Sequence, residues 1–211
     1  MLTLKKMVLS LILFIFSQWV QAAELIDTIS QKLAETSRLQ SSFTQTRQLA
    51  ALKKPLVIQG HMIFAREQGV LWKIEKPYRM TYVMTAKGVR EIQADGSYKD
   101  RAAANIPGIG SVEGLFRGIL TAERDILAQH FNAKTTGDIN AWTLSLLPKN
   151  ATLQKALKEV TLEGGDQVKA VRIQEINGDD TKIKFSELEP LKELSKEDAA
   201  LLALNLEFKQ R

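Results

Sequence analysis

The stretch that most constrains the fold runs from Gly60 to Pro77 and reads GHMIFAREQGVLWKIEKP. Apolar and polar residues alternate on both sides of a short bend, and this period of two is typical of strands with one buried face. The segment 67–69 has turn composition, and Pro77 ends the second strand because proline cannot donate to a ladder. The stretch therefore predicts a pair of strands with Arg66 at the bend.

The same alternation recurs along most of the chain. Short turns such as Asp95-Gly96 and Asn177-Gly178 separate the alternating segments, which favours an antiparallel meander over parallel β-α-β winding. About ten strands in one sheet should curl into a barrel or half-barrel, which helices would plug or cover. The predicted strands span residues 39–50, 56–65, 70–76, 79–85, 89–94, 97–101, 132–136, 141–147, 159–163, 168–176 and 182–188.

Amphipathic segments between the strands predict the helices. Residues 24–37 present one apolar face, and Ser195 with Asp198 forms a capping-box pattern before a short apolar helix near the end of the chain. In the middle, residues 112–120 and 122–131 predict two short helices, of which the first contains Gly114 and Gly118. Each glycine lowers helix stability by about 1 kcal/mol relative to alanine. This pair is either a movable cover or an ordinary helical connection. The apolar face of its first helix consists of Leu115, Phe116, Ile119 and Leu120.

Residues 1–22 are predicted to be a secretory signal peptide. Lys5 and Lys6 precede the uncharged apolar run 7–16, and small residues follow, with cleavage after Ala22 or Ala23. The alternative is an uncleaved membrane anchor, although the apolar run is short for a membrane span. The remainder, 23–211, is predicted to be a single domain. Without cysteine it can carry neither disulfides nor a lipid on a cleavage-site cysteine, so we predict a soluble protein of a bacterial periplasm.

The chain gives little sign of catalysis or of nucleic-acid binding. His61 and His130 lack the spacing of metal ligands, and no nucleophile-elbow motif occurs. We therefore predict no catalytic residue, no metal site and no cofactor. Removal of Lys5 and Lys6 lowers the formal charge from +5 to +3, and no long basic cluster remains.

The apolar face of the strands between 56 and 85 is the remaining candidate for a binding surface. Methionine is adaptable and suits a surface that accepts varied apolar guests. On a curled sheet these side chains line either a ligand cavity or an ordinary packed core. They are Ile58, Met62, Phe64, Val70, Trp72, Ile74, Met80, Tyr82 and Met84.

Several short motifs together resemble the LolA family of periplasmic outer-membrane lipoprotein carriers. Their order and spacing fit over residues 25 to 100, and the strand pattern continues to about 187. The motifs are the SSFxQ-like segment Ser41–Gln45, the strand Gly60–Phe64, Arg66 followed by Trp72 and Pro77, and the Asp95-Gly96 turn.

The resemblance implies an unclosed antiparallel β-barrel, mainly β with α, covered by a helical lid. It implies a monomeric, non-enzymatic carrier that takes acyl chains from an inner-membrane release complex to an outer-membrane acceptor. It also implies that Arg66 is the latch of the lid, with Val70 and Trp72 on the adjacent wall.

The chain departs from the family pattern in places that concern the cargo. Glu67 stands where the family has proline, Val70 replaces an aromatic residue, and the segment 97–105 lacks the family's aromatic run. The cargo is therefore either a lipoprotein or another acylated lipid. A lipid-sensing regulatory module on the same fold, and an acyl-lipid hydrolase or acyltransferase, are the alternative functions.

Overall fold

The computed structural model describes residues 25–31, 37–102, 118, 124–186 and 188–204. Their architecture is one antiparallel sheet of twelve strands with a few short helices. The strands are β1 Arg38–Gln48, β2 Leu56–Ala65, β3 Gly69–Lys76, β4 Met80–Thr85, β5 Gly88–Gln93, β6 Tyr98–Ala102, β7 Phe131–Asp138, β8 Ala141–Pro148, β9 Leu157–Gly164, β10 Val168–Glu175, β11 Asp180–Phe185 and β12 Glu189–Pro190. The predicted mainly β fold is confirmed.

Helical segments within the described ranges are α1 over residues 25–31, α2 Arg124–His130, α3 Ala151–Ala156 and α4 Lys196–Leu202, and Gly118 is helical as well. The cap predicted at Ser195 is present, since its Oγ accepts the Asp198 N–H at 3.0 Å. Asn150 caps α3 in the same way at 2.8 Å from the Leu153 nitrogen. Phe131, predicted as the last residue of the helix 122–131, begins β7 instead.

The sheet consists of two meanders joined through its first strand. Its strand order is β6-β5-β4-β3-β2-β1-β11-β10-β9-β8-β7, with β12 beside β1. Strands β1 and β11 pair antiparallel with Phe43 opposite Phe185. Strands β6 and β7 therefore lie at opposite edges of the sheet. An antiparallel sheet that curls but does not pair its edges is a half-barrel, as predicted.

One face of the curled sheet carries the main apolar core. In β2 the even-numbered residues Ile58, Met62 and Phe64 are buried in it, as the alternation predicted. Ile26 and Ile29 of α1 and Leu127 of α2 belong to the same cluster. We call the face that carries this main cluster the concave face of the half-barrel.

A second, smaller apolar layer lies on the opposite face of β2, β3 and β4. Leu71 is fully buried there, although the sequence assigned the apolar face of β3 only to Val70, Trp72 and Ile74. The cover includes Leu202 of α4, and Lys73 Nζ lies 2.5 Å from Asp198 Oδ1. Strand β3 is thus buried on both sides along its first half. The remaining members of this layer are Ile63, Ala65, Val83, Ile92, Leu191, Leu194 and Leu201.

No helix within the described ranges is long and apolar enough to cross a membrane. The predicted signal peptide, residues 1–22, lies outside the described residues.

Candidate functional site

Three aromatic rings occupy the middle of the concave face. The rings of Phe43 and Trp72 are stacked, with centroids 3.8 Å apart and planes inclined by 23°. Phe185 meets Trp72 edge-on, at 6.3 Å and 87°. These rings come from β1, β3 and β11, so the contact fastens both meanders together. Aromatic pairs of this geometry add about 0.5–1.5 kcal/mol beyond the area that they bury.

Gly60 permits the stack of Phe43 on Trp72. It lies on β2, between β1 and β3, directly opposite Phe43. A Cβ at this position would lie 1.9 Å from the carbonyl oxygen of Lys73 and 3.0 Å from Cζ of Phe43. Only glycine leaves room for both groups. The ring of Phe43 therefore reaches across β2 to Trp72.

The structure brings all nine predicted wall residues together on the concave face. Met80 and Tyr82 are partly buried and pack against the main cluster. The other seven are buried members of it: Ile58, Met62, Phe64, Val70, Trp72, Ile74 and Met84. Their role as the wall of a cargo cavity remains a prediction.

The second meander contributes equally to this face, which sequence reasoning did not include in the wall. Trp142 is buried there, and its Nε1 donates to the Gly165 carbonyl at 2.7 Å. The alternating pattern of β8 to β11 is the signal that could have identified these residues. They include Leu144, Leu146, Val160, Leu162, Val171 and Ile183.

The edge of the concave face carries charge. Glu91 on β5 lies opposite Tyr82, and Arg101 on β6 reaches it with Nε 3.1 Å from Oε1. Burial and, to a smaller extent, the charge of Glu91 raise the pKa of the Tyr82 hydroxyl. The apolar interior therefore ends at a polar rim that is open to water.

Arg66 lies at the turn between β2 and β3 and is partly buried. Its backbone N–H donates to the carbonyl of Ser37 at 2.9 Å, which holds the turn against the start of β1. The predicted lid residues Leu115, Phe116, Ile119 and Leu120 lie outside the described residues. Within that segment only Gly118 is described, and it is helical and buried. The latch role of Arg66 therefore stays a prediction.

The opposite, convex face carries a serine–histidine–glutamate chain that the sequence did not reveal. His61 Nε2 lies 3.0 Å from Ser42 Oγ, and His61 Nδ1 lies 2.8 Å from Glu75 Oε1. These residues line a groove with a volume of about 420 Å³. Neighbouring strands place them there, since Ser42 and His61 are cross-strand partners.

The contacts of Ser42, His61 and Glu75 have the features of hydrogen bonds between exposed side chains on neighbouring strands. The side chains of His61 and Glu75 are 55% and 53% exposed. The backbone N–H of Ser42 already donates to Ser186 Oγ at 3.1 Å, so it is not available to stabilise an oxyanion. Cross-strand polar pairs are a common means of stabilising a sheet. The described residues also contain no group of three or more His, Cys, Asp or Glu that could hold a metal ion.

Comparisons with known proteins show which family the sequence matches. Residues 20–187 match the family described as outer membrane lipoprotein carrier protein LolA-like. No curated protein matches the chain by sequence.

The solved structures that match the chain have low sequence identity to it. The LolA superfamily protein NE2245 from Nitrosomonas europaea is 8% identical, with a TM-score of 0.42 over 82% of this chain and 96% of that one. A DUF1329 family protein from Desulfovibrio piger is 12% identical, with a TM-score of 0.47 over 84% and 96%. A structure of the MucA/MucB complex of Pseudomonas aeruginosa is 12% identical, with a TM-score of 0.45 over 85% of this chain and 61% of that one.

Proposed function

Because the chain belongs to the outer membrane lipoprotein carrier protein LolA-like family, we propose that it is a periplasmic carrier. It shields the acyl chains of a lipoprotein, or of a related lipid, against the concave face and moves them from the inner to the outer membrane. It performs this role by binding and release, without a catalytic step.

The apolar concave face of an unclosed sheet is the observation that carries this proposal. All the strands from β1 to β5 and from β7 to β11 contribute buried apolar side chains to one cluster. The edges β6 and β7 stay apart. Transfer of an acyl chain from water gains about 0.8 kcal/mol per CH₂, so a chain of roughly sixteen carbons gains about 12 kcal/mol when fully covered. A sheet that is not closed can open to admit such a chain.

The polar rim suits a cargo with a polar headgroup. Glu91 and Arg101 form their ion pair at the edge of the concave face, next to partly buried Tyr82. A lipid with its tail on the apolar cluster would keep its headgroup at this edge, in contact with water. This arrangement avoids the cost of burying a polar group without a partner.

Exchange of cargo requires a donor, an acceptor and a release step. We assign these to an inner-membrane release complex and an outer-membrane acceptor, with Arg66 as the latch that holds the lid. The change Arg66→Leu should preserve cargo binding but abolish transfer to the acceptor, measured as lipoprotein released to acceptor-containing membranes. Transfer at the wild-type rate would exclude the latch role.

A matched pair of variants tests the cargo site. Met80 and Thr81 are adjacent on β4 and both are partly buried, but only Met80 faces the concave cluster. The change Met80→Glu should weaken binding of a fluorescent fatty-acid probe by about tenfold or more, because it places a charge where the chain would lie. Thr81→Glu should leave probe affinity unchanged.

Cargo identification completes the test. The mature protein is purified from a bacterial envelope, and co-purifying lipid or lipoprotein is identified by mass spectrometry. An acylated ligand that exchanges with the probe supports the carrier. Absence of an acylated ligand, together with no probe binding, would contradict it. Stable one-to-one binding of an inner-membrane regulator would indicate a sensor, and turnover of an acyl substrate would indicate an enzyme.

A further inference from the structure

Four aliphatic side chains are exposed together at the end of the sheet where β1 turns into β2 and β10 turns into β11. In the β1–β2 connection, Leu52 is 51% exposed, and in the β10–β11 connection Ile176 is 57% exposed. Leu56 and Val57, at the start of β2, are exposed as well. Single exposed apolar residues are ordinary, but a group at one end of a sheet indicates an interaction site.

Hydrogen bonds hold the two turns side by side. The backbone N–H of Ala50 donates to Asp179 Oδ1 at 2.9 Å, and Arg47 Nη2 donates to Asp179 Oδ2 at 3.2 Å. The N–H of Ile176 donates to the carbonyl of Ala156 at 3.0 Å, which places the end of α3 beside the second turn. The exposed residues therefore form a group at one end of the sheet, on a fixed framework. We call it the hairpin end, composed of Leu52, Lys53, Lys54, Leu56, Val57, Lys155 and Ile176.

The charge of the hairpin end is positive. Lys53, Lys54 and Lys155 are exposed and form no ion pair with a described residue. The nearby acids are engaged with arginines. Arg47 Nη2 lies 3.5 Å from Glu175 Oε1 and 3.2 Å from Asp179 Oδ2.

Asp180, the next acid along the chain, is engaged in the same way. Its Oδ2 lies 2.5 Å from Nη2 of Arg172. The lysines of the hairpin end are thus left to act on an external partner.

From this combination we propose that the hairpin end docks onto the surface of a bilayer that contains anionic lipid. Aliphatic side chains would enter the headgroup boundary while flanking lysines contact anionic headgroups, as in other interfacial anchors. Charge complementarity selects the anionic bilayer. The inference goes beyond the carrier function because it concerns where the molecule meets a membrane, and it does not depend on the cargo.

Vesicle flotation with the mature protein tests the proposal. The vesicles contain phosphatidylcholine alone, or equal parts of phosphatidylethanolamine and phosphatidylglycerol. We expect flotation only with the anionic vesicles. A lysine close to an anionic surface contributes about fivefold in partitioning, so Lys53→Gln with Lys54→Gln should reduce it by about 25-fold. Leu52→Gln with Ile176→Gln should also reduce it.

The matched control removes two lysines elsewhere. Lys87, in the turn between β4 and β5, and Lys134, on β7, are exposed and lie outside the hairpin end, so Lys87→Gln with Lys134→Gln gives the same change in net charge. This control should float like the wild type, and all variants should keep fatty-acid probe affinity.

Three results would overturn the proposal. They are equal flotation with both lipid mixtures, an equal loss in the Lys87/Lys134 control, and binding to envelope membranes but not to protein-free vesicles. The last result would indicate a protein receptor. Loss of probe binding with flotation intact would instead count against the carrier function alone.

Discussion

Arg90 and Asp100 face each other across the last two strands of the first meander and form a two-pronged ion pair. Arg90 Nε lies 2.7 Å from Asp100 Oδ1, and Arg90 Nη2 lies 2.6 Å from Oδ2. Their side chains are only 8% and 3% exposed. The guanidinium also lies 4.1 Å from the centroid of the Tyr98 ring. Edge strand β6 is therefore held by a buried charge pair as well as by its ladder.

The change Asp100→Asn should lower the free energy of unfolding by about 3–5 kcal/mol, because it leaves the Arg90 charge buried without its counter-charge. Urea denaturation followed by circular dichroism measures the loss. The control is Asp180→Asn, since Asp180 pairs with Arg172 at the surface, where an ion pair contributes about 1 kcal/mol or less. Equal losses in the two variants would contradict the special role of the buried pair.

Gly60→Ala should destabilise the fold at the upper end of the about 1–3 kcal/mol typical of overpacking, because the new methyl group meets the carbonyl of Lys73. Trp72 fluorescence should change as the ring of Phe43 is displaced. Gly96→Ala is the control, since Gly96 has a positive φ of 83° but open space around it. That variant should lose about 1–2 kcal/mol from backbone strain alone, with Trp72 fluorescence unchanged.

Lowering the pH should destabilise the contact between the β1–β2 hairpin and the β10–β11 hairpin. The N–H of Ala50, with further hydrogen bonds from Asn177 and Arg47, holds the pKa of Asp179 below its ordinary value. A lowered folded-state pKa contributes stability that is present above the ordinary value of about 3.9 and lost as pH falls through the folded value. Asp179→Asn should therefore be less stable than the wild type at neutral pH.

The difference in free energy of unfolding between Asp179→Asn and the wild type should shrink below about pH 4, because the wild-type carboxylate is then protonated. Urea midpoints measured from neutral to acidic pH provide the test. The residual pH dependence of Asp179→Asn should include that of Asp180, whose pKa Arg172 lowers. An unchanged difference down to the most acidic pH would show that Asp179 contributes no proton-linked stability.

The alternation of the sequence predicted faces and most strand bounds because both depend on local spacing. β2 matches the predicted residues 56–65, and its even-numbered residues from Ile58 to Phe64 are buried as expected, whereas Leu56 is exposed. The pairing of β1 with β11 could not be predicted in this way. Alternation determines which face a side chain occupies, but Phe43 and Phe185 become partners through contacts between distant segments.

Contacts between distant segments also explain the features around the candidate site that could not be predicted from the sequence. The burial of Leu71 depends on α4, whose Asp198 is 125 residues from its partner Lys73. The contact of Phe43 with Trp72 depends on Gly60, where the absence of a side chain leaves no hydrophobic signal. The nine wall candidates were assigned to the correct face by their spacing. Their function as a cargo surface requires the binding experiments.

The serine–histidine–glutamate chain on the convex face gives the last prediction, which separates a carrier from an enzyme. Ser42 should not react with a fluorophosphonate probe, because His61 is exposed to water and the Ser42 N–H is already bonded to Ser186. Ser42→Ala should keep wild-type probe affinity for fatty acids, since Ser42 lies on the face opposite the apolar cluster. Mass spectrometry of the treated protein is the measurement. Covalent labelling that disappears in Ser42→Ala, with turnover of an acyl ester, would show that the convex groove is a hydrolase site.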